Sequence, residues 1–578
     1  MPGNLRNLVE GSEFVALQNT RFAIDGLGRY LCSTWPEATQ NGGRAFDAVV
    51  VGSGMYGGYC ASKIWRFGGF KGLRVLVLEA GPFLISEHVQ NLANVGFNVP
   101  PSINPANDPG VPRELVWGIG WRGNVAFPGL AYCFGGKSLF WGGWCPRLTN
   151  DDLAQWPATT RLGLANHYTR VEEETGVSEV TDFITGALNA ELKRAFGAQT
   201  AVVPHIVAQG GTNGVHDAPL AVQGAQPGSG LFSFDKFSSA PLLAEAVRED
   251  VGATGADDRA RRLFVVTRAH VSRLVAQNGR VVELQAFTPE GYKTLSIAPD
   301  CAVILAASAI ESTRLALLSF PTALIGGNLM AHLRTDFAVR IRRQAFQALP
   351  SHLQTAALLV RGATAQGRFH VQITGAANQG RGSDDLLFRM IPDLDLLGSL
   401  QANDDPEWIA ITLRGIAEMH GPRQAPTRAS RDSWIDLSQQ TDEYGLPRAW
   451  VNLAISSGDW QLWQDMDAAM LGLAQRVAGS ASNIEYGYDG GWQSAPYPLD
   501  RPFPPWHQGL GETYHEAGTL WMGDDPASSV TDPFGRFHHV DNCYSCDQAS
   551  FPTVGSVNPV LTGLALARRL AVHVVDRH

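Results

Sequence analysis

The chain has 578 residues, enough for two to four domains of roughly 100–200 residues each. Charged residues make up 17% and apolar residues 44%, a balance typical of a large protein with an extensive core. The formal net charge of −10 argues against nucleic acid as a partner, and no apolar run reaches the roughly 18 residues of a membrane span.

The start of the chain lacks the basic and apolar regions of a signal peptide. The seven cysteines are scattered over the whole chain. Reduced thiols in a cytoplasmic protein are therefore expected. Cys543 and Cys546 have the spacing of a redox motif. In a strand, however, side chains three residues apart point to opposite faces, so we interpret this pair as core residues.

Residues 1–45 are expected to form a mixed helical and irregular arm. The apolar run Phe46–Val51 predicts a strand that is buried on both faces. A helix over Tyr59–Phe67 and a second buried strand over Leu73–Glu79 follow. A strand, a glycine turn, a helix and a strand within about thirty residues make a βαβ unit.

Further along, Leu263–Thr267 and Val271–Phe287 alternate apolar and polar residues, which predicts a small antiparallel layer. Val303–Ala307 predicts another buried strand, followed by a helix that begins near Ile310. Between about residues 333 and 500 strand-like alternation dominates, which suggests a separate domain.

This second region also contains a predicted helix over Asp459–Arg476. Two stretches rich in glycine and alanine, 207–230 and 374–387, are candidates for mobile loops. Ordinary solvent-exposed connections explain them equally well.

The sequence Gly52–Gly57 has the pattern G-x-G-x-x-G between a predicted strand and a predicted helix. In this motif Gly52 allows a tight turn, Gly54 allows close approach of a pyrophosphate, and Gly57 allows close helix–sheet packing. Glu79 ends the next strand, where an acid accepts the ribose hydroxyls. The motif predicts a dinucleotide site but does not distinguish FAD from NAD.

Near the C-terminus, Tyr514–Gly523 places His515 close to a Gly–Thr turn. Asn558 and Pro559 together predict the start of a helix, because asparagine is a favoured N-cap and proline is favoured in the first turn. This final helix should extend towards Val574, with its positive end near Asn558.

These motifs resemble those of the glucose–methanol–choline (GMC) oxidoreductases over nearly all of the chain beyond residue 45. The matching stretches follow the family's order: the glycine turn with Leu78–Gly81, Gly135–Gly143, Leu305–Ser312, Gly327–Met330 and the His515 and Asn558 blocks. The histidine–asparagine pair is most similar to that of the pyranose oxidase and cholesterol oxidase type.

The resemblance implies an α/β fold with a Rossmann-like FAD-binding domain and a discontinuous substrate-binding domain on a mainly antiparallel sheet with helices. The first would comprise residues 46–155, 231–332 and 505–578. The second, with its loops, would comprise residues 156–230 and 333–504. The implied FAD-binding residues are Gly52, Gly54, Met55, Gly57, Glu79, Gly135, Gly136, Ser138, Trp141, Gly142, Val271, Ala307, Asp547, Ala549, Asn558 and Pro559.

In pyranose oxidases a histidine two residues after the motif serine tethers the flavin covalently. This chain has Phe140 at that position, two residues after Ser138. A histidyl link through this position is thereby excluded, and we expect non-covalent FAD.

The resemblance further implies oxidation of an alcohol, favouring a secondary hydroxyl of a sugar or glycoside, by hydride transfer to flavin N5. His515 would act as the base and Asn558 would hold the same substrate oxygen. Oxidation of a sterol, aliphatic or aromatic alcohol, or cyanohydrin cleavage by a lyase, remain alternatives. The electron acceptor is oxygen or another molecule. His332 and other histidines have no comparable setting, and no histidine spacing resembles a metal site.

Overall fold

The structure is a computed structural model. It describes residues 28, 31–40, 44–92, 102–103, 117–118, 121–125, 127–128, 130–177, 186–207, 214–223, 235–255, 257–320, 323–380, 382–422, 432–501 and 504–578. Most of the predicted arm at 1–45 and most of the predicted loop at 207–230 lie outside these ranges.

A five-stranded parallel sheet, here called the parallel sheet, forms the first layer. Its strands are short and buried on both faces, as the sequence predicted for the three at 48–51, 75–78 and 302–305. In spatial order they are Leu263–Val266, Val75–Leu78, Ala48–Val51, Ala302–Leu305 and Cys543–Ser545.

Side chains of the parallel sheet alternate between two hydrophobic cores. Val50 packs into the core on one face and Val49 into the core on the other. Cys546 and Cys543 divide in the same way, which confirms that the two cysteines belong to opposite faces. All seven cysteines of the chain are buried, and none of them forms a disulfide bond.

One strand was predicted in the wrong sheet. Leu263–Val266 pairs in parallel with Val75–Leu78 instead of joining the antiparallel layer. The reason is that all four of its residues are fully buried, so the segment has no polar face. The antiparallel layer begins only at His270 and has the strands His270–Gln277, Arg280–Thr288 and Gly291–Ser296.

Helices cover both faces of the parallel sheet. The helix Met55–Phe67 follows the first strand, and Ala309–Ser319 follows the fourth. The helices Ala158–Thr175, Ser239–Thr254 and Val560–Arg577 pack with Met55–Phe67 into one of the two cores, and Ala309–Ser319 packs into the other. This arrangement is the doubly wound α/β architecture.

A seven-stranded antiparallel sheet, here called the large sheet, forms the second layer. Its strands in spatial order are Gly491–Gln493, Ile484–Tyr488, His332–Arg342, Trp408–Glu418, Arg368–Ala377, Gln354–Ala363 and Val215–Asp217. The helices Ala187–Gly197 and Ser457–Ala478 pack against it. The predicted helix at 459–476 is therefore present, and it begins with a capping box between Ser456 and Asp459.

The stretch 374–387 is not one continuous loop, because both of its ends belong to regular elements. The strand Arg368–Ala377 includes its first residues, and the helix Asp384–Met390 includes its last. Small residues here serve close packing: a Cβ added at Gly375 would lie 2.7 Å from Leu192 Cδ1 of the covering helix. Composition alone could not separate this use of glycine from loop formation.

The remaining described elements are short. A three-stranded sheet joins Trp434–Thr441, Pro447–Asn452 and Trp121–Gly123. The two-residue strands are Ser102–Ile103, Trp117–Gly118, Phe127–Pro128, Leu130–Ala131, Val222–Gln223 and Asp235–Lys236, and the short helices are Trp35–Thr39 and Leu397–Gln401.

The predicted fold class is confirmed by the parallel sheet, its covering helices and the large antiparallel sheet. The exact division of the chain into domains stays a prediction. Among the described helices, none is both long and apolar enough to cross a membrane.

Candidate active site

A cavity of about 280 Å³ opens where the strands of the parallel sheet end, facing the large sheet. Doubly wound sheets bind their ligands at this edge. The predicted residues that line the cavity are Gly52, Gly54, Met55, Glu79, Gly136, Ser138, Trp141, Gly142, Val271, Ala307, His515, Asn558 and Pro559. Residues from both ends of the chain therefore line one cavity.

The glycine turn is built tightly against the protein on one side and is open on the other. Gly52 has a φ of +99°, and a Cβ there would lie 2.5 Å from the Ala306 carbonyl oxygen. A Cβ at Gly57 would lie 2.1 Å from the Gly52 carbonyl oxygen, whereas a Cβ at Gly54 would meet no protein atom within 4 Å. The open space lies over Gly54.

The helix Met55–Phe67 begins directly after Gly54, and no side chain caps its first turn. Its first N–H groups and the positive end of its dipole are thus available to an anion at the cavity wall. The open space over Gly54 and this helix start fit the diphosphate of a dinucleotide.

Glu79 is buried at the cavity wall and is held in one orientation. Its carboxylate accepts hydrogen bonds from the Ser53 amide at 3.0 Å, the Ser53 hydroxyl at 2.7 Å and the Gly81 amide at 2.9 Å. Burial raises the pKa of Glu79, and these hydrogen bonds oppose the shift. The Ser53 hydroxyl also accepts from the Gly135 amide, which places Gly135 behind the wall.

Asp547 and Ala549 also lie behind the wall. The Asp547 carboxylate accepts from the Ser312 hydroxyl at 2.5 Å and from the Ala549 amide at 3.0 Å. Burial raises the pKa of Asp547 to about 6. The residue between them, Gln548, does line the cavity and was missed by the sequence analysis. Gly57 is likewise used for packing, against Gly52.

His515 is buried at the cavity wall, and its closest polar partner is another histidine. His515 Nδ1 and His332 Nδ1 are 2.9 Å apart, and His332 Nε2 lies 2.9 Å from the Gly555 carbonyl oxygen. Burial lowers the pKa of His515 well below its usual value and lowers that of His332 to about 4. Both rings are therefore neutral near pH 7.

The view that His332 has no special setting was wrong. Only its position two residues after the motif segment Gly327–Met330 could have marked it. The contact with His515 depends on the pairing of strands and loops that are far apart in sequence.

Asn558 is oriented by the large sheet. Gln372 Nε2 donates to Asn558 Oδ1 at 2.7 Å and lies 3.0 Å from His370 Nε2. His370 Nδ1 in turn bonds to the Ser556 carbonyl oxygen. With its oxygen engaged, the Asn558 amide has its N–H groups left as donors. His370 and Gln372 are two residues apart in one strand, so their side chains share a face of the sheet. The alternating pattern predicted a strand here but did not single out these two residues as part of a site.

A cluster of paired charges, here called the charged wall, also lines the cavity. Arg334, Arg414, Asp393 and Asp395 line the cavity. Arg414 bonds to Asp395 at 2.8 Å and to Asp393 at 3.2 Å, and Arg334 bonds to Asp395. Burial opposes ionisation of Asp395, but the two guanidinium groups outweigh it and lower its pKa. These residues belong to no motif in the sequence.

The final helix runs over Val560–Arg577, with Pro559 at its N-cap. It begins one residue later than predicted, and Pro559 and Val560 both line the cavity. Within the described part of the chain, no group of three or more metal-ligating side chains could hold a metal ion.

The doubly wound sheet, the open glycine turn and the oriented acid are features that dinucleotide-binding proteins share. The family model described as GMC oxidoreductase matches residues 429–567. The C-terminal part of the chain thus matches the GMC oxidoreductase family, as the sequence motifs predicted. This family implies FAD as the dinucleotide.

Known proteins match shorter parts of the chain. Paromamine 6'-oxidase of Streptomyces fradiae is 43% identical over 68 residues, which are 11% of this chain and 13% of that protein. Pyranose 2-oxidase of Tricholoma matsutake is 29% identical over 136 residues, which are 24% of this chain and 21% of that protein. The chain therefore spans about a fifth or less of the length of these relatives.

A solved structure resembles nearly the whole fold. A variant of the formate oxidase of Aspergillus oryzae RIB40 superposes with a TM-score of 0.58, covering 93% of this chain and 99% of that one. Its sequence identity is 14%, so the likeness concerns the fold alone.

Proposed function

We propose that this protein binds FAD and oxidises an alcohol, with a hydroxyl group of a sugar or glycoside as the preferred substrate. One observation carries the proposal. The glycine turn with its oriented acid, and the His515–Asn558 pair, line the same cavity although they are more than four hundred residues apart.

The cofactor part of the proposal rests on fit. The space over Gly54 and the uncapped helix start would hold the diphosphate, and Glu79 would accept from the ribose hydroxyls. When bound, FAD supplies the acceptor for the hydride that leaves the alcohol carbon. The start of the final helix at Pro559 would lie near the flavin and favour negative charge there.

His515 would take the proton of the substrate hydroxyl. Burial keeps its ring neutral near pH 7, so it is ready to accept a proton. Asn558 would donate from its amide nitrogen to the same oxygen as negative charge develops there. Gln372 supports this role because it occupies the amide oxygen of Asn558 and leaves the nitrogen free to donate.

The charged wall favours a polyhydroxylated substrate over a sterol. Arg334, Arg414, Asp393 and Asp395 offer donors and acceptors to several hydroxyl groups, whereas an apolar ring system would leave them without new partners. The similarity to a pyranose 2-oxidase agrees with this choice.

The test is anaerobic mixing of the FAD-bound protein with aldopyranoses, glycosides, a sterol, benzyl alcohol and mandelonitrile, followed by flavin absorbance. We expect a sugar or glycoside to bleach the flavin fastest. His515→Ala should retain FAD and reduce the bleaching rate by about 10²-fold or more. His539→Ala, which removes an exposed histidine outside the cavity, should match the wild type.

Unchanged bleaching by His515→Ala would refute the assignment of the base. Cleavage of mandelonitrile, with no bleaching by any alcohol, would refute alcohol oxidation and favour a lyase. Admitting oxygen after bleaching then distinguishes the acceptors, because peroxide forms only if oxygen reoxidises the flavin.

We further propose that FAD is bound without a covalent link. Phe140, which lines the cavity at the position of the tethering histidine, cannot form that bond. Acid precipitation should therefore release all of the flavin into the supernatant. Flavin that stays with the protein pellet after washing in denaturant would contradict this proposal.

A cytoplasmic location is part of the proposal. The support is that all seven cysteines are buried and that none of them forms a disulfide bond.

A further inference from the structure

Two hydrogen-bond chains run from one loop, through the large sheet, to the two proposed catalytic side chains. One chain links the Gly555 carbonyl, His332 and His515. The other links the Ser556 carbonyl, His370, Gln372 and Asn558. Each begins at a backbone carbonyl, which can only accept a hydrogen bond.

The first chain determines where the protons lie. Because the Gly555 carbonyl only accepts, the nitrogen that faces it, His332 Nε2, must carry a proton. His332 is neutral near pH 7 since burial lowers its pKa to about 4. Its Nδ1 therefore carries a lone pair and accepts a hydrogen bond.

The donor of that hydrogen bond is His515 Nδ1, 2.9 Å away. A neutral imidazole has one protonated nitrogen. With the proton on Nδ1, the lone pair of His515 lies on Nε2, and the ring lines the cavity.

We propose that His332 is a positioning residue that sets the tautomer of His515, so that Nε2 is the atom that receives the substrate proton. This proposal rests on the proposed role of His515 as the base. The opposite tautomer would place two lone pairs against each other at 2.9 Å, or require His332 to give up its bond to Gly555.

The same contact serves the protonated state. After His515 Nε2 accepts a proton, Nδ1 still donates to His332, so no hydrogen bond has to rearrange. His332 thus stabilises the imidazolium as a neutral acceptor, where other enzymes use a carboxylate beside the histidine. The perpendicular rings, with centroids 4.9 Å apart, make this a directed contact and not a stacked one.

The second chain is built in the same way and supports this interpretation. His370 Nδ1 must donate to the Ser556 carbonyl, so His370 Nε2 accepts from Gln372. The other hydrogen of Gln372 Nε2 goes to Asn558 Oδ1. Two consecutive carbonyls of one loop thereby fix the polarity of both side chains.

The experiment reads the tautomer directly. FAD-bound protein labelled with ¹⁵N-histidine is compared by NMR with His332→Leu and His332→Asn, and His515→Ala identifies the His515 signals. We expect His515 of the wild type to be protonated on Nδ1. Leucine offers no acceptor and should produce a mixture of tautomers, whereas asparagine places an oxygen near the former Nδ1 and should restore the wild-type form.

Flavin reduction by the best alcohol provides the second readout. His332→Leu should slow it by about 10²-fold or more, and His332→Asn should restore most of the rate. A purely structural role of His332 would not produce a change of tautomer at His515.

The proposal is overturned if wild-type His515 is protonated on Nε2, a result that does not depend on the folding of either His332 variant. It is also overturned if His332→Leu leaves His515 wholly in the Nδ1–H form. Failure of every alcohol to reduce the wild-type flavin would instead refute the proposed function. The NMR experiment would still test independently whether His332 sets the tautomer of His515.

Discussion

Gly54 and Gly57 lie three residues apart in one motif but have different surroundings. Gly57 is pressed against the Gly52 carbonyl, so the fold itself needs its missing side chain. Gly54 has an extended backbone, with φ −65° and ψ −166°, and faces open space. The structure therefore separates a glycine required for packing from one required for the proposed ligand.

This difference predicts opposite phenotypes for two alanine variants. Gly54→Ala should fold normally but lose about 10-fold or more in FAD affinity, since its methyl group occupies the space for the diphosphate. Gly57→Ala should lower the thermal unfolding midpoint even of the cofactor-free protein, since overpacking typically costs about 1–3 kcal/mol. Flavin titration and thermal unfolding of the cofactor-free proteins measure the two effects. Equal FAD affinity in Gly54→Ala and the wild type would contradict the proposed diphosphate site.

Residues whose role depends on local chain geometry could be predicted from the sequence. The glycine turn, Glu79 and Asn558 each belong to a motif that specifies its own strand, turn or helix. His332 and Gln372 could not be predicted, because they reach the site through strand pairing between distant segments. Arg334 and Asp395 come together in the same way, and nothing in their local sequence distinguishes them from surface charges.

At the scale of elements, the segment Ile391–Asp395 brings Asp393 and Asp395 to the cavity. A buried lysine bonds to the first two residues of this segment. Lys236 Nζ donates to the Ile391 carbonyl at 2.7 Å, the Pro392 carbonyl at 2.6 Å and Gln90 Oε1 at 2.6 Å. Three acceptors match the three hydrogens of a charged ammonium group. Burial lowers the Lys236 pKa to about 7.

Lys236→Met should therefore loosen this segment while leaving His515 untouched. Each lost hydrogen bond to a charged group is worth about 1.5–3 kcal/mol, so amide exchange in residues 391–396 should accelerate by about 10-fold or more. The KM for the alcohol should rise more than kcat falls. Lys193→Met, which removes a half-exposed ion pair with Asp217, is the matched control. Unchanged exchange at 391–396 would show that Lys236 does not anchor the segment.

Elements were predicted correctly where apolar residues form short continuous runs or clear helical periods. The strands at 48–51, 75–78 and 302–305 and the helix at 457–478 are such cases. Sheet membership was harder, as Leu263–Val266 shows. A buried apolar strand looks the same at the edge of a parallel sheet and in an antiparallel layer until its neighbours are known.

At the scale of the whole molecule, buried neutral histidines link stability to pH. Burial lowers the pKa of His370 to about 3, that of His332 to about 4 and that of His515 well below its usual value. Below about pH 6.5 the unfolded chain binds protons at these sites and the folded chain does not. Their contribution to stability is therefore present above about pH 6.5 and is lost as the pH falls towards 4.

Asp547 has the opposite effect, because its raised pKa of about 6 makes the folded state bind a proton more readily than the unfolded state below that pH. A variant isolates the histidine contribution. The thermal unfolding midpoint of the wild type should fall more steeply between pH 6.5 and 4.5 than that of His370→Gln. In the free energy of unfolding, the slopes of the two proteins against pH should differ by at most about 1.36 kcal/mol per pH unit, the contribution of one titrating group. Parallel curves for the two proteins would contradict the link to His370.

The burial of every cysteine has a practical consequence for labelling. The folded surface offers no native thiol to a maleimide reagent, and burial raises the pKa of the Cys133 and Cys145 thiols, so they resist becoming reactive thiolates. Leu162 is 81% exposed on a helix outside the cavity lining. Converting it to cysteine would give one addressable attachment point, through which the native chain could carry a fluorophore or be tethered to an electrode.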